Sequence, residues 1–243
     1  MEKIQNTTIR KVMNIKTFPP YLENFNLLKL MRMTSPTLPI GAYSYSQALE
    51  FAITSNGVYD ASSSASWIQG LLEHSFTYLD LPILERLYRS WLEKDIDAVI
   101  YWNRYLLASR DARELQEEDL QLGKAFARLL ADLELREAEQ FIKKPCSFVT
   151  LYSLAAVSWE IFLNNAAHGF LWMWAENQVL CAMKLIPLGQ TEGQKILSQM
   201  IEIIPRAVSK GLALADEDIG FTVPGQGIAS ALHETQYTRL FRS

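Results

Sequence analysis

The chain has 243 residues, 49% of them hydrophobic, enough for a core that hides roughly 70–75% of the surface an unfolded chain exposes, so neither a disulfide nor a metal is needed to fold it. A net charge of −4 leaves no global basic field and argues against nucleic acid as a partner. Two cysteines, Cys146 and Cys181, are too few for a disulfide framework, lie in apolar runs, and suit a reducing cytoplasmic setting.

Residues 1–24 carry Lys3, Arg10, Lys11 and Lys16 without a continuous apolar run, so they read as a flexible tail ending near Pro19-Pro20 rather than as a secretory leader. Apolar spacing of 3.6 then dominates and strand alternation is nearly absent. A short helix is expected over 26–34, followed by a structured loop at 35–41, where Pro36 and Pro39 fix φ and Gly41 permits a turn. A helix restarts over 45–55 and stops at Asn56-Gly57. Asp60 or a serine of 62–64 caps the next, which runs to about 78, and Asp80 with Pro82 opens another through 91.

Asp95 caps a helix whose apolar side includes Val99, Leu106 and Leu107. A more charged helix follows over 111–133, with Arg113-Glu114 and Glu117-Glu118-Asp119 on its wet side and a dry side formed by Leu115, Leu122, Phe126, Leu129, Leu130 and Leu133. Lys143-Lys144-Pro145 breaks the pattern. Residues 148–163 and 166–185 are the two most apolar helices. The second is too rich in Glu176, Asn177, Gln178 and Lys184 to be a membrane span. Amphipathic helices over 191–204 and 205–215 should meet at Pro205, and after a Pro/Gly loop at 216–227 a last helix is expected over 228–241. The fold class expected is all-α: a single domain of roughly ten helices in orthogonal or bundle-like packing around two apolar central helices. It divides into the tail (1–24), the main domain (25–227) and a partner-binding terminal segment (228–243).

Catalytic chemistry finds little support in the residues. His74, His168 and His233 are far apart and neither cysteine has a CxxC mate, so no metal-ligand spacing is present. His74 and His168 sit in apolar runs and read as hydrogen-bonded structural histidines. The stretch Gly123-Lys124-Ala125 lacks the first glycine and the hydroxyl of a phosphate loop. Asp216-Glu217-Asp218 could hold Mg²⁺ in an all-α enzyme, the rival reading to a solvated loop; a generic helical adaptor is the third. No catalytic residue and no cofactor is expected. What stands out is polar and aromatic decoration on Pro/Gly-bounded segments at 35–50, 187–195 and 228–243, where recognition by another protein is the better fit.

Those segments carry a resemblance. LMRMTSPTLPIGAYSYSQALE at 30–50 is similar to S-x-x-L-P-x-G-x-F/Y-x-Y/H-S-x-G-L-E, the signature of the urease accessory protein UreF family. SRDAREL at 109–115, IPLGQTEGQ at 186–194 and HETQYTRLFRS at 233–243 follow in the family's order. The family has glycine where this chain has Ala48, and often near Ala42; alanine suits a helix at 48, so no loss of function is expected there. The resemblance implies a non-enzymatic, all-α, homodimeric protein of nickel insertion into urease. It implies binding to UreD (also called UreH), which recruits the GTPase UreG to apo-urease and so gates GTP-dependent nickel delivery. On that footing His233, Glu234, Gln236, Tyr237, Arg239, Leu240, Phe241 and Arg242 are expected to face UreD, and Tyr43, Tyr45, Ser46, Glu50, Gln190 and Lys195 to face UreG or the dimer partner. His233 then reads as part of a docking surface rather than a nickel ligand. The terminal segment is expected to be loosely held until UreD orders it, the alternative being a segment docked on its own domain.

Overall fold

Local signals fix most of the helix starts. The computed structural model describes residues 20–243, and among them ten α-helices and no strand. They are α1 (Pro20–Met33), α2 (Leu49–Thr54), α3 (Ala61–Leu71), α4 (Asp80–Glu93), α5 (Ile96–Ala108), α6 (Arg113–Asp132), α7 (Phe148–Ser158), α8 (Leu163–Leu185), α9 (Gln190–Leu212) and α10 (Pro224–His233). The Asp60 carboxylate accepts from the Ser63 amide at 2.8 Å and the Ser63 hydroxyl answers the Asp60 amide at 3.0 Å, a reciprocal cap for α3. The Asp95 carboxylate takes the Ala98 amide at 2.9 Å and starts α5.

The main core is an apolar mass through which α7 runs, with every residue from Phe148 to Ala156 buried. Against α7 lie α4 and α6, while α8 packs on α9 and also touches α1, α2, α3 and α4. The two expected central helices are there, and α4 joins them. Polar groups are paired within this packing: the Trp91 indole donates to the Thr150 carbonyl at 3.1 Å inside the core, and Asn103 bonds Pro145, Ser147 and Thr150 to pin the start of α7. Among the described residues no helix is long and apolar enough to cross a membrane.

Several boundaries differ from the sequence reading: the helix expected over 148–163 ends at Ser158, the one expected to about 78 passes into a π-helical turn after Leu71, and four others differ as well. The tail expected over 1–24 falls mostly outside the described residues, but α1 already begins at Pro20. The helix expected from 45 begins at Leu49, because 45–48 form a turn. Pro205 does not divide α9. It sits on the exposed side beside Ile201, whose carbonyl it deprives of a donor, so water can serve that carbonyl and the helix continues. The last helix ends at His233, not 241, and the chain continues without regular structure to Ser243. That last difference shapes the site.

Candidate functional site

The loop before α2 is bent in a way only a strong local demand produces. Gly41 has φ +81°, and two successive non-glycine residues, Gln47 and Ala48, have φ +52° and +70°. Left-handed L-residues cost on the order of 1–3 kcal/mol each. Ala48 therefore does not sit in a helix as expected; it holds a backbone conformation that favours glycine. The bend aims two donors of Ser46 at one acceptor: the amide and Oγ lie 2.7 and 2.6 Å from the Ser243 carbonyl oxygen. It also strings the Gln47 amide between the Trp174 indole nitrogen, which donates to it at 2.7 Å, and the Glu118 carboxylate, to which it donates at 2.8 Å.

Residues 234–243 lie in the seat so formed. Glu50, 5% exposed, accepts the Leu240 amide at 2.7 Å on Oε1 and the Phe241 amide at 2.9 Å on Oε2. The Arg242 amide donates to the Ser44 carbonyl at 2.9 Å. The Phe241 ring fills a small second core made of Leu49, Ala52, Val58, Cys181, Ala182 and Ile186, a burial worth about 1.5–3 kcal/mol. The Lys184 ammonium lies 5.6 Å from the ring centre.

His233 closes the seat from the other side and is fully buried. Its Nδ1 is 2.7 Å from Glu114 Oε2 and its Nε2 is 3.2 Å from Glu50 Oε2. Arg239 donates to the second Glu114 oxygen at 2.6 Å. The Ser243 hydroxyl donates to Glu118 Oε2 at 2.7 Å. Burial pushes the Glu118 carboxyl up to about 7, against the pull of its Gln47 and Ser243 hydrogen bonds.

Next to Glu118 on α6, Asp119 shares Arg110 with Asp80 of α4: the guanidinium donates to Asp80 at 2.7 and 3.2 Å and to Asp119 at 2.9 and 3.0 Å. Burial works against the Arg110 charge, but the two carboxylates outweigh it and hold the guanidinium above its ordinary range. Burial likewise raises Asp80, with Arg110 opposing. Arg110 is thus spent inside the fold. A cavity of about 90 Å³ adjoins these groups, with Asp80, Arg110 and Glu118 on its polar side and Phe76, Phe148 and Trp174 on its apolar side.

The structure brings Tyr45, Ser46 and Glu50 together with His233, Arg239 and Phe241, residues the sequence reading had assigned to two separate surfaces. Tyr45 is buried, its carbonyl accepting from Asn177 at 3.1 Å. Tyr43, Glu234, Tyr237, Leu240 and Arg242 remain exposed and Gln236 is half-buried. Gln190 opens α9 and Lys195 lies on its wet side, neither among the groups that hold the terminal segment. The expectation of a loosely held segment is corrected: it is docked on its own domain. His168 bonds the Asn164 carbonyl at 2.7 Å as expected of a structural histidine, but His74 is exposed. Glu114, Glu118 and Asp119, expected on the wet side of their helix, are instead buried, and Gln47 was not singled out; a carboxylate pair on an amphipathic helix looks like any wet face until its partners arrive from 71–125 residues away. In the rival metal cluster, Asp216 is bonded to Arg86 at 2.6 and 2.9 Å. Among the described residues no group of three or more His, Cys, Asp or Glu side chains is placed to hold a metal ion.

Comparison with known proteins matches the UreF family model to residues 58–201. Similar proteins named urease accessory protein UreF include one from Alkalilimnicola ehrlichii, 50% identical over 88% of this chain and 95% of its own. Others come from Teredinibacter turnerae, 46% identical over 90% of this chain and all of its own, and from Hahella chejuensis, 43% identical over 89% and 98%. The chain belongs to the UreF family. Its relatives are named accessory proteins of urease rather than enzymes, and the docked segment lies outside the stretch that the family model covers.

Proposed function

We propose that this UreF-family chain is a non-enzymatic scaffold of urease maturation whose docked terminal segment is a recognition surface for UreD (UreH). The observation that carries this reading is the way the segment is held. Its backbone, Phe241 and His233 are spent on the fold, yet it presents Tyr237 fully to solvent and leaves Leu240 66% exposed, with Leu232 and Ile228 of α10 at 47% and 61% and Tyr43 beside Ser44 at 63%. Aromatic and aliphatic anchors fixed in advance bind at lower entropic cost than a segment ordered on contact. A rigid platform of this kind suits a partner that must then recruit UreG and apo-urease for GTP-dependent nickel delivery, with nickel as cargo rather than as a resident cofactor. Homodimerisation would cover further apolar surface, such as Phe25, Leu28 and Met31 on α1, each more than half exposed. A cytoplasmic setting goes with the reading.

The test is co-expression with UreD and UreG followed by size-exclusion chromatography. Tyr237→Asp and Leu240→Asp change side chains that the fold does not use. Both should keep the melting temperature and lose UreD from the co-eluting complex. Normal co-elution of both variants would overturn the assignment of the surface.

A further inference from the structure

The seat of the terminal segment holds a proton-counting arrangement that needs no partner to operate. His233 presents both ring nitrogens to carboxylates, Nδ1 to Glu114 at 2.7 Å and Nε2 to Glu50 at 3.2 Å. An ionised carboxylate only accepts, and a neutral imidazole carries a single N–H, so both contacts are hydrogen bonds only in the imidazolium form. The carboxylates offer the proton no better home. Both Glu50 oxygens already receive backbone amides, from Leu240 and Phe241, and the second Glu114 oxygen receives Arg239. With His233 and Arg239 cationic, the group is neutral. Losing the ring proton leaves a net negative charge around a fully buried ring and sets a nitrogen lone pair against a carboxylate oxygen.

We propose that the His233–Glu50–Glu114 cluster is a protonation-controlled latch: with both ring protons in place it holds residues 234–243 on the domain, and loss of one releases them.

The charged groups around the seat support one direction. Glu50 faces the ring from α2 and Glu114 from α6, while Arg239 approaches Glu114 from the segment itself. Lys184 of α8 flanks Phe241, and at the rim Arg113 of α6 is paired with Glu117 at 2.7 Å and feels Glu234. Beneath Ser243 lies Glu118, next to Asp119 and Arg110. Burial raises Glu118 from 4.5 to about 7 in the docked state. A carboxyl raised on docking favours the docked state fully below its free value, and that contribution is lost as pH rises towards 7. A Ser243 hydroxyl can turn to accept the proton that Glu118 then carries. Loss of the Glu118 contribution weakens docking as pH rises, and losing one ring hydrogen bond of His233 acts in the same direction.

Hydrogen exchange on the isolated chain, with rates normalised to the intrinsic exchange at each pH, tests the latch. From about pH 5 to about pH 8 the protection of the Leu240 and Phe241 amides should fall by at least about tenfold, while amides in α7 stay constant. His233→Gln and Glu118→Gln should each flatten the profile; the second keeps an acceptor for Gln47 and a donor for Ser243 and so leaves the seat built. Ring ¹⁵N spectra, with only three histidines to assign, should show one imidazolium with both nitrogens protonated at about pH 6, where the latch is closed. A flat wild-type profile, a fall that persists unchanged in both variants, or a neutral His233 ring in the protected state would each overturn the proposal. None of these readouts involves UreD, so the latch can fail while the proposed function stands.

Discussion

Glu50 is the acceptor on which the terminal segment depends most. Replacing it with alanine removes the partner of the Leu240 amide, the Phe241 amide and His233 Nε2 together. Hydrogen bonds to a charged group contribute about 1.5–3 kcal/mol each, and their simple sum overstates the loss, because the segment can leave the seat instead of staying there with orphaned donors. The cost is then the docking free energy of the segment, including the burial of Phe241. Deleting one member of a buried ionic group costs about 3–5 kcal/mol, which for a chain of this length is roughly a 10 °C drop in melting temperature. Circular dichroism would read the melt, and hydrogen exchange the freed amides of 240 and 241. Glu50→Gln, which keeps one acceptor oxygen, should fall between the two. A Glu50→Ala protein that melts within about 1 °C of wild type, with both amides still protected, would refute the reasoning.

Three further outcomes follow from other sites. Arg110→Met strands Asp80 and Asp119 and should cost about 3–5 kcal/mol at neutral pH; because burial already raises Asp80, protonation should relieve the penalty, so denaturant midpoints of variant and wild type converge as pH falls. Gly123→Ala would put a Cβ 2.0 Å from the Cys146 carbonyl oxygen, a backbone clash that should forbid normal α6–α7 packing and leave little folded protein by circular dichroism. Ala48→Gly relieves a left-handed alanine at φ +70° at the expense of one buried methyl and of chain entropy, for a net gain of up to about 1 kcal/mol in chemical denaturation; a loss of more than that would show that the loop is not strained at this position.

How far the sequence could be read follows from where each signal originates. Asp60 and Asp95 act on amides three residues away, so the starts of α3 and α5 are legible in a short window. The apolar runs of α7 and α8 are equally local and mark the core without ambiguity. Pro205 misleads because its effect depends on which side of α9 faces water, a tertiary fact. Ala48 misleads because helix propensity describes the residue, whereas its left-handed backbone is demanded by Ser46 reaching Ser243, 197 residues away. The terminal segment was correctly marked as unusual, but its polarity was read outward. His233 meets carboxylates 119 and 183 positions away, and a buried ion group assembled over such distances looks, in one dimension, the same as a docking surface. Arg110 is the same case: a free cation by sequence, a twice-bonded strut in the fold.

The central claim is that a terminal segment folded on its own domain forms the surface UreD recognises. Hydrogen-exchange mass spectrometry of the chain alone and in complex with UreD tests it most directly. At about pH 6, where the latch is closed, the expected result is a segment already protected at 240–241 in the free chain, with the largest further loss of exchange on UreD binding over 228–240 and the neighbouring 43–50 loop. Exchange at the unprotected rate in the free segment, or a UreD footprint confined to other helices, would contradict it.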